Sequence, residues 1–208
     1  MATAVQPSTV DTTDLSVILR GSVILGVIQS VAVFAVSLVN RSLEGTADHA
    51  LTGVIVAIGA ALSIVLPGIW TRARTIEGIS GAAGIGLGAA LVYMVIDVIA
   101  LQPLGTYTNR WHEVGGGSNW WYHPVWWMVA SYISWLGAFI MANQAARKGE
   151  ASVAGTLILT AICTAVCGAA AAALHFPGAG WNVPTFAVAS LAGLPLATLV
   201  SGLGGARS

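Results

Sequence analysis

The chain is poor in charge, nearly without cysteine, and carries no signature of a known reaction. Charged residues make up 8% of its 208 positions, where a soluble domain has about 25%. That shortage excludes an ordinary water-soluble globule and leaves no room for a second, soluble domain. Eight basic residues balance eight acidic ones, which excludes the one-signed field of a nucleic-acid binder. The only cysteines, Cys163 and Cys167, both fall inside an apolar stretch. They provide no disulfide framework and no CxxC redox pair, and they read as small packing residues. There is no HExxH, no nucleophile elbow and no clustered carboxylate pair. The string GAAGIGLGAA at 81–90 lacks the lysine of a phosphate loop and lies in an apolar run, so no nucleotide is expected.

What the chain has instead is six long apolar stretches, at about 16–39, 50–70, 77–101, 123–145, 152–174 and 184–204. Each has the length that, at a rise of about 1.5 Å per residue, crosses the hydrocarbon core of a bilayer. The fold class that follows is all-α: a polytopic bundle of six transmembrane helices forming a single domain over 1–208. The first fourteen residues contain no Lys or Arg, and the apolar run after them is long for a signal peptide. The first stretch therefore reads as a retained helix, with Ala35-Val36-Ser37 as the cleavage site of the alternative.

Basic residues set the orientation. Arg20, Arg72, Arg74, Arg147, Lys148 and Arg207 mark one side, while Arg41 and Arg110 mark the other. Both termini are then expected in the cytoplasm and the protein in a bacterial-type inner membrane. The one long connection, 102–122, faces outward. It holds Gly115-Gly116-Gly117, three of the eight tryptophans and two of the four tyrosines. Glycine runs break regular structure and aromatic residues gather where bilayer meets water, so this Trp/Gly-rich segment reads as a folded extracytoplasmic cap. Pro124 suits the first turn of the fourth helix, and Pro195 lies inside the sixth, where it should kink it.

Helix faces can be assigned from the same pattern. In the third stretch Gly81, Gly84 and Gly88 share one side, and Gly84 with Gly88 forms a small-xxx-small pair that lets another backbone approach. Asp97 projects from the opposite side with Tyr93, Ala90 and Gly86. A buried acid cannot face lipid cheaply, so the third helix needs protein on both sides. In the fourth stretch His123, Trp127, Ala130, Ser131, Ser134 and Ala138 are expected inward, with Val129, Ile133, Leu136 and Ile140 toward lipid. In the fifth, Thr160, Thr164, Gly168, Ala171 and His175 are expected inward, opposite Ile158, Leu159, Ile162 and Val166.

The residues able to carry chemistry gather at the outer end: His49, His112, His123, His175, Asp48, Asp97, Arg110 and Glu113. Asp97 is expected to find a partner in Arg110, His123 or His175. With Tyr93 and Trp127 these residues form a candidate ligand or ion vestibule. Trp111, Trp120, Trp121 and Tyr122 form a candidate docking surface for a partner. His49, His112, Glu113, His123 and His175 are the candidate metal ligands, although no cofactor is required and their spacing matches no ligand pattern. Mid-membrane polarity is sparse, which disfavours an ion-coupled transporter or a filter-bearing channel. The leading expectation is a non-enzymatic subunit that scaffolds a larger membrane assembly, in contact with lipid and with other integral membrane subunits. The first alternative is a small transporter or channel entered at Asp97, His123 and His175. The second is a metal-dependent membrane enzyme.

Overall fold

Apolar runs longer than 20 residues have one cheap conformation in lipid, the helix, because it satisfies every backbone N–H and C=O internally. The computed structural model describes residues 11–107 and 122–203, with the backbone alone for 122–126. Among the described residues there are six α-helices: α1 (Leu15–Ser42), α2 (Gly45–Trp70), α3 (Ile76–Ile96), α4 (Tyr122–Lys148), α5 (Val153–Ala173) and α6 (Val183–Gly202). Five of them, α1, α2, α3 with the turn that follows it, α5 and α6, are long and apolar enough to cross a membrane. Leu19, Val23, Val27 and Val31 of α1, Ile158, Ile162 and Val166 of α5, and Val188 and Leu199 of α6 are exposed. Outward apolar faces of this extent belong against lipid.

Helix ends lie within a few residues of the apolar boundaries, with one departure. The third stretch is not a single α-helix to residue 101. At Asp97–Leu101 it loosens into a π-helical turn, in which the Gln102 N–H reaches the Asp97 carbonyl at 2.9 Å. Such turns insert a residue into the α ladder and often sit at functional positions.

The starts of α5 and α6 are capped in the ordinary way. Ser152 Oγ accepts from the Gly155 N–H at 3.0 Å, and Asn182 Oδ1 accepts from the Thr185 N–H at 3.0 Å. The start of α3 is capped from far away in sequence. The buried Asp11 carboxylate accepts from the backbone N–H groups of Arg74 (3.2 Å), Thr75 (2.8 Å) and Gly78 (3.0 Å), and from the Thr75 hydroxyl (2.6 Å). Burial pushes its pKa up, but the Thr75 hydroxyl and these N–H groups outweigh that and hold it below the ordinary value.

Helix α3 packs on α1, α4 and α2, and α4 in turn packs on α3, α2 and α6. Helix α5 lies mainly on α6. One apolar cluster joins Ile64 and Val65 of α2, Leu136, Ile140 and Met141 of α4, Cys163 of α5, and Leu194 and Ala197 of α6. A second joins Ile79 and Ala82 of α3 to Ala138 and Ala142 of α4. A third joins Leu25 of α1 to Ile85 and Ala89 of α3.

This arrangement corrects the expected faces of α4. Ala130, Ser134 and Ala138 are buried, but so are Leu136 and Ile140, which had been assigned to lipid. The reason is α6, which covers that second face. Tyr132 Oη donates to the Leu191 carbonyl at 2.8 Å, Asn143 Nδ2 to the Thr198 carbonyl at 3.2 Å, and Arg147 Nη1 to the Ser201 carbonyl at 3.2 Å. On α4 Met128, Trp135 and also Trp127, which was expected inward, are exposed. On α5, Thr160 and Gly168 are buried while Ile158, Ile162 and Val166 are exposed.

The glycine seams are unequal. A Cβ on Gly88 would collide with the Ser22 side chain of α1, whereas one on Gly84 would meet only Ile18 Cγ2, at 3.9 Å. Gly81 faces Thr71 Cγ2 at 3.2 Å. On the other side of α3, Gly86 lies against the Ala130 carbonyl and Ser134 of α4. The closest crossing of all is Gly137 of α4 on the Ile64 backbone of α2.

Candidate functional site: a buried carboxyl at the end of the third helix

Asp97 is fully buried just past the C-terminal end of α3. It lies four residues after Tyr93, on the same side of the helix. Gln102 Nε2 donates to Asp97 Oδ2 at 2.6 Å, and the Tyr107 hydroxyl donates to Asp97 Oδ1. The Tyr107 hydroxyl is also 2.8 Å from the hydroxyl of Tyr93, itself buried. The π-helical turn creates this geometry, because it places Gln102 five residues on, back over the carboxyl it serves. Of the partners expected from the sequence, Arg110 and the His123 side chain lie outside the described residues; among the described residues Asp97 is held by Gln102 and Tyr107. Both belong to the connection that begins here.

That connection is tied down from a second helix. Ser37 Oγ of α1 donates to the Thr106 carbonyl at 2.5 Å, and Arg41 Nη2 donates to the Gly105 carbonyl. Residues 102–107 are thus held between the C-terminal ends of α1 and α3. Neither Gln102 nor Tyr107 stands out in the sequence. The available signal was an amide and a phenol within ten residues of a lone intramembrane acid.

The remaining candidates scatter. His175 is exposed at the end of α5, where it takes the left-handed backbone (φ 52°) of a helix-terminating turn. Its N–H bonds the Ala172 carbonyl at 3.3 Å, and the next N–H, of Phe176, bonds that of Ala171 at 3.0 Å. Because α5 packs on α6, α2 and α4, the structure does not bring the helix bearing His175 against α3. His49 is exposed on α2, with Nδ1 at 2.5 Å from the Gly45 carbonyl. Trp127 Nε1 donates to Met94 Sδ at 3.0 Å, near the Asp97 end of α3. Asp48 is buried beside Thr52, whose hydroxyl lies 3.4 Å from Asp48 Oδ1. Arg110, Trp111, His112, Glu113, Trp120 and Trp121 lie outside the described residues, and of Tyr122 and His123 only the backbone is described. Among the described residues no three His, Cys, Asp or Glu side chains stand close enough to hold a metal ion.

The class that these features define is a multi-pass helical membrane protein with a buried polar anchor at one end of its bundle. Comparison with protein-family profiles, with curated proteins and with solved structures returned no match, so its function is argued from its own residues.

Proposed function

We propose that this protein is a non-enzymatic subunit of a larger assembly in a bacterial inner membrane, crossing it six times with both termini in the cytoplasm. The observation that carries the reading is the Asp97 anchor. Its carboxyl accepts hydrogen bonds from Gln102 and Tyr107, and Arg41 and Ser37 hold the backbone between them. The result is a connection fixed at its root. Beyond that root run Trp111, Trp120, Trp121 and Tyr122, the residue types that dominate protein–protein contact energy. A fixed root lowers the ordering cost of docking.

Polar side chains within the spans support the same view, because they serve helix packing. Ser22 of α1 donates to the Ile85 carbonyl of α3 at 3.4 Å, Gln29 of α1 to Ser63 Oγ of α2 at 3.2 Å and Ser134 of α4 to the Ser63 carbonyl at 3.1 Å, while Ser30 and Thr198 donate within their own helices. Orientation rests on charge. The basic loop residues Arg72, Arg74, Arg147 and Lys148 share one end of the bundle, where Arg74 Nη1 bonds the Gly149 carbonyl at 3.1 Å. Asp11 and the end of α6 lie at that same end. The sixth span is α4, 27 residues long, whose aromatic and amide side chains lower its hydropathy.

The test is native mass spectrometry after mild extraction from membranes at native expression. A fixed stoichiometry with at least one further integral membrane protein is expected. Replacing Trp111, Trp120 and Trp121 by alanine should release that partner while the melting temperature holds. Recovery of the chain alone, both in the extract and after cross-linking in intact membranes, would overturn the proposal. Substrate flux in proteoliposomes that Asp97→Asn abolishes would replace it with a transporter.

A further inference from the structure

Among the described residues there are five arginines, and three donate to backbone carbonyls: Arg41 to Gly105, Arg74 to Gly149 and Arg147 to Ser201. Arg20 and Arg72 do not. Neither guanidinium has a hydrogen bond or ion pair to a protein group, although Asp14, Glu77 and Glu150 lie at the same end of the bundle.

The two stand on one rim. Arg20 is exposed on α1, on the side that carries exposed Val23, Val27 and Val31, and so faces lipid one to two turns inside the helix. Arg72 follows the end of α2. The two helix ends meet where Trp70 packs over Gly21, whose absent Cβ would lie 3.0 Å from the indole, and where the Thr12 N–H bonds the Thr71 carbonyl at 2.9 Å.

Arg72 also holds an unfavourable position. It adopts φ 49° at the close of α2, with its N–H on the Ile69 carbonyl (3.2 Å) and the Ala73 N–H on the Gly68 carbonyl (3.0 Å). That is the left-handed residue of a helix-ending motif usually filled by glycine. An arginine there bears a strain that glycine would not, so backbone conformation does not explain it.

We propose that Arg20 and Arg72 together bind the phosphate of an anionic phospholipid at the α1–α2 rim, beside the Trp70 indole. The guanidinium fork matches phosphate oxygens, and a long side chain can rise from the apolar face to headgroup depth. A pair of cations at the end of the bundle that carries the other basic loop residues complements the anionic lipid of the cytoplasmic leaflet. The site is at the opposite end of the bundle from the outer connection and does not depend on what docks there.

The experiment uses the purified full-length protein in neutral detergent, titrated separately with phosphatidylglycerol, phosphatidylcholine and inorganic phosphate, and followed by native mass spectrometry and melting. Phosphatidylglycerol should be retained and should raise the melting temperature, whereas phosphatidylcholine and inorganic phosphate should do neither. Arg20→Gln and Arg72→Gln should each lose most of the bound lipid. Arg72→Gly should lose it too, while melting without lipid at or above the parent temperature, which separates loss of the site from loss of the fold. Lys148→Gln, on the same end but outside the pair, should keep the lipid. Equal loss in Lys148→Gln would mean diffuse charge attraction and overturn the site, as would equal retention of phosphatidylcholine. Stabilisation by inorganic phosphate would assign the pair to a soluble anion instead and overturn it equally.

Discussion

Two aspartates, Asp97 and Asp11, show what a single carboxyl can do at either end of a helix. Asp97 closes the C-terminal end of α3 by accepting from Gln102 and Tyr107. Asp97→Asn should therefore cost about 1 kcal/mol or less, because the amide oxygen still accepts from Tyr107 and Gln102 can turn its own oxygen toward the new N–H. Asp97→Leu should cost clearly more. It removes the acceptor that the half-buried Tyr107 hydroxyl and the exposed Gln102 amide share, a loss of two hydrogen bonds to a charged or polar group at about 1 kcal/mol each. Melting of both variants in one detergent checks the order. Asp11 closes the N-terminal end, and its pKa is lowered in the folded protein from an ordinary value of 3.8. Its stabilisation is therefore complete above 3.8 and disappears as pH falls through the lowered folded value. Asp11→Asn should melt below the parent at neutral pH, and the gap should narrow on acidification below pH 3.8. A gap that stays constant from neutral to acid would show that the carboxylate charge is not what caps α3.

At the scale of the helix, glycines that look alike in sequence differ in what faces them. Gly137→Ala should be among the most damaging small substitutions, because its methyl would fall on the Ile64 carbonyl, a backbone group that cannot step aside. Overpacking of this kind costs about 1–3 kcal/mol. Gly84→Ala should be neutral or stabilising: it meets only Ile18 at 3.9 Å and gains up to about 1 kcal/mol of helix propensity. Thermal melts of the two variants should thus move apart, and a shared direction would contradict the seam. The positions of the helices were legible in the sequence because each coincides with a long apolar run. The inward side of α5 was legible too, because Thr160 and Gly168 contrast with Ile158, Ile162 and Val166. The faces of α4 were not. Leu136 and Ile140 look the same whether they meet lipid or Leu194 and Ala197 of another helix, since both surroundings are equally apolar. The bonds of Asp97 to Gln102 and Tyr107 were hidden for a related reason: a π-helical turn shifts the spacing by one residue, and no side chain announces it.

For the molecule as a whole, the proposed six-span topology makes a direct prediction. In a background with Cys163 and Cys167 replaced by alanine, a cysteine at Ser118 should react with a membrane-impermeant reagent in intact cells. A cysteine at Glu150 should react only after the membrane is opened. Glu150 is the better inner probe than its neighbour, because Gly149 has a φ of 84° that a side chain would strain. Reaction of both from outside would return α4 to the status of a helix that does not cross. The way the helices share contacts also bears on how the chain is made. Helix α3 packs on α1, α2 and α4, and α5 with α6 is added to the α2–α4 side. All the described groups that hold Asp97 precede residue 108. During synthesis, the most lipid-averse acid of the spans can therefore be sheltered before the fifth helix leaves the ribosome, and the last hairpin inserts beside a bundle that already holds it.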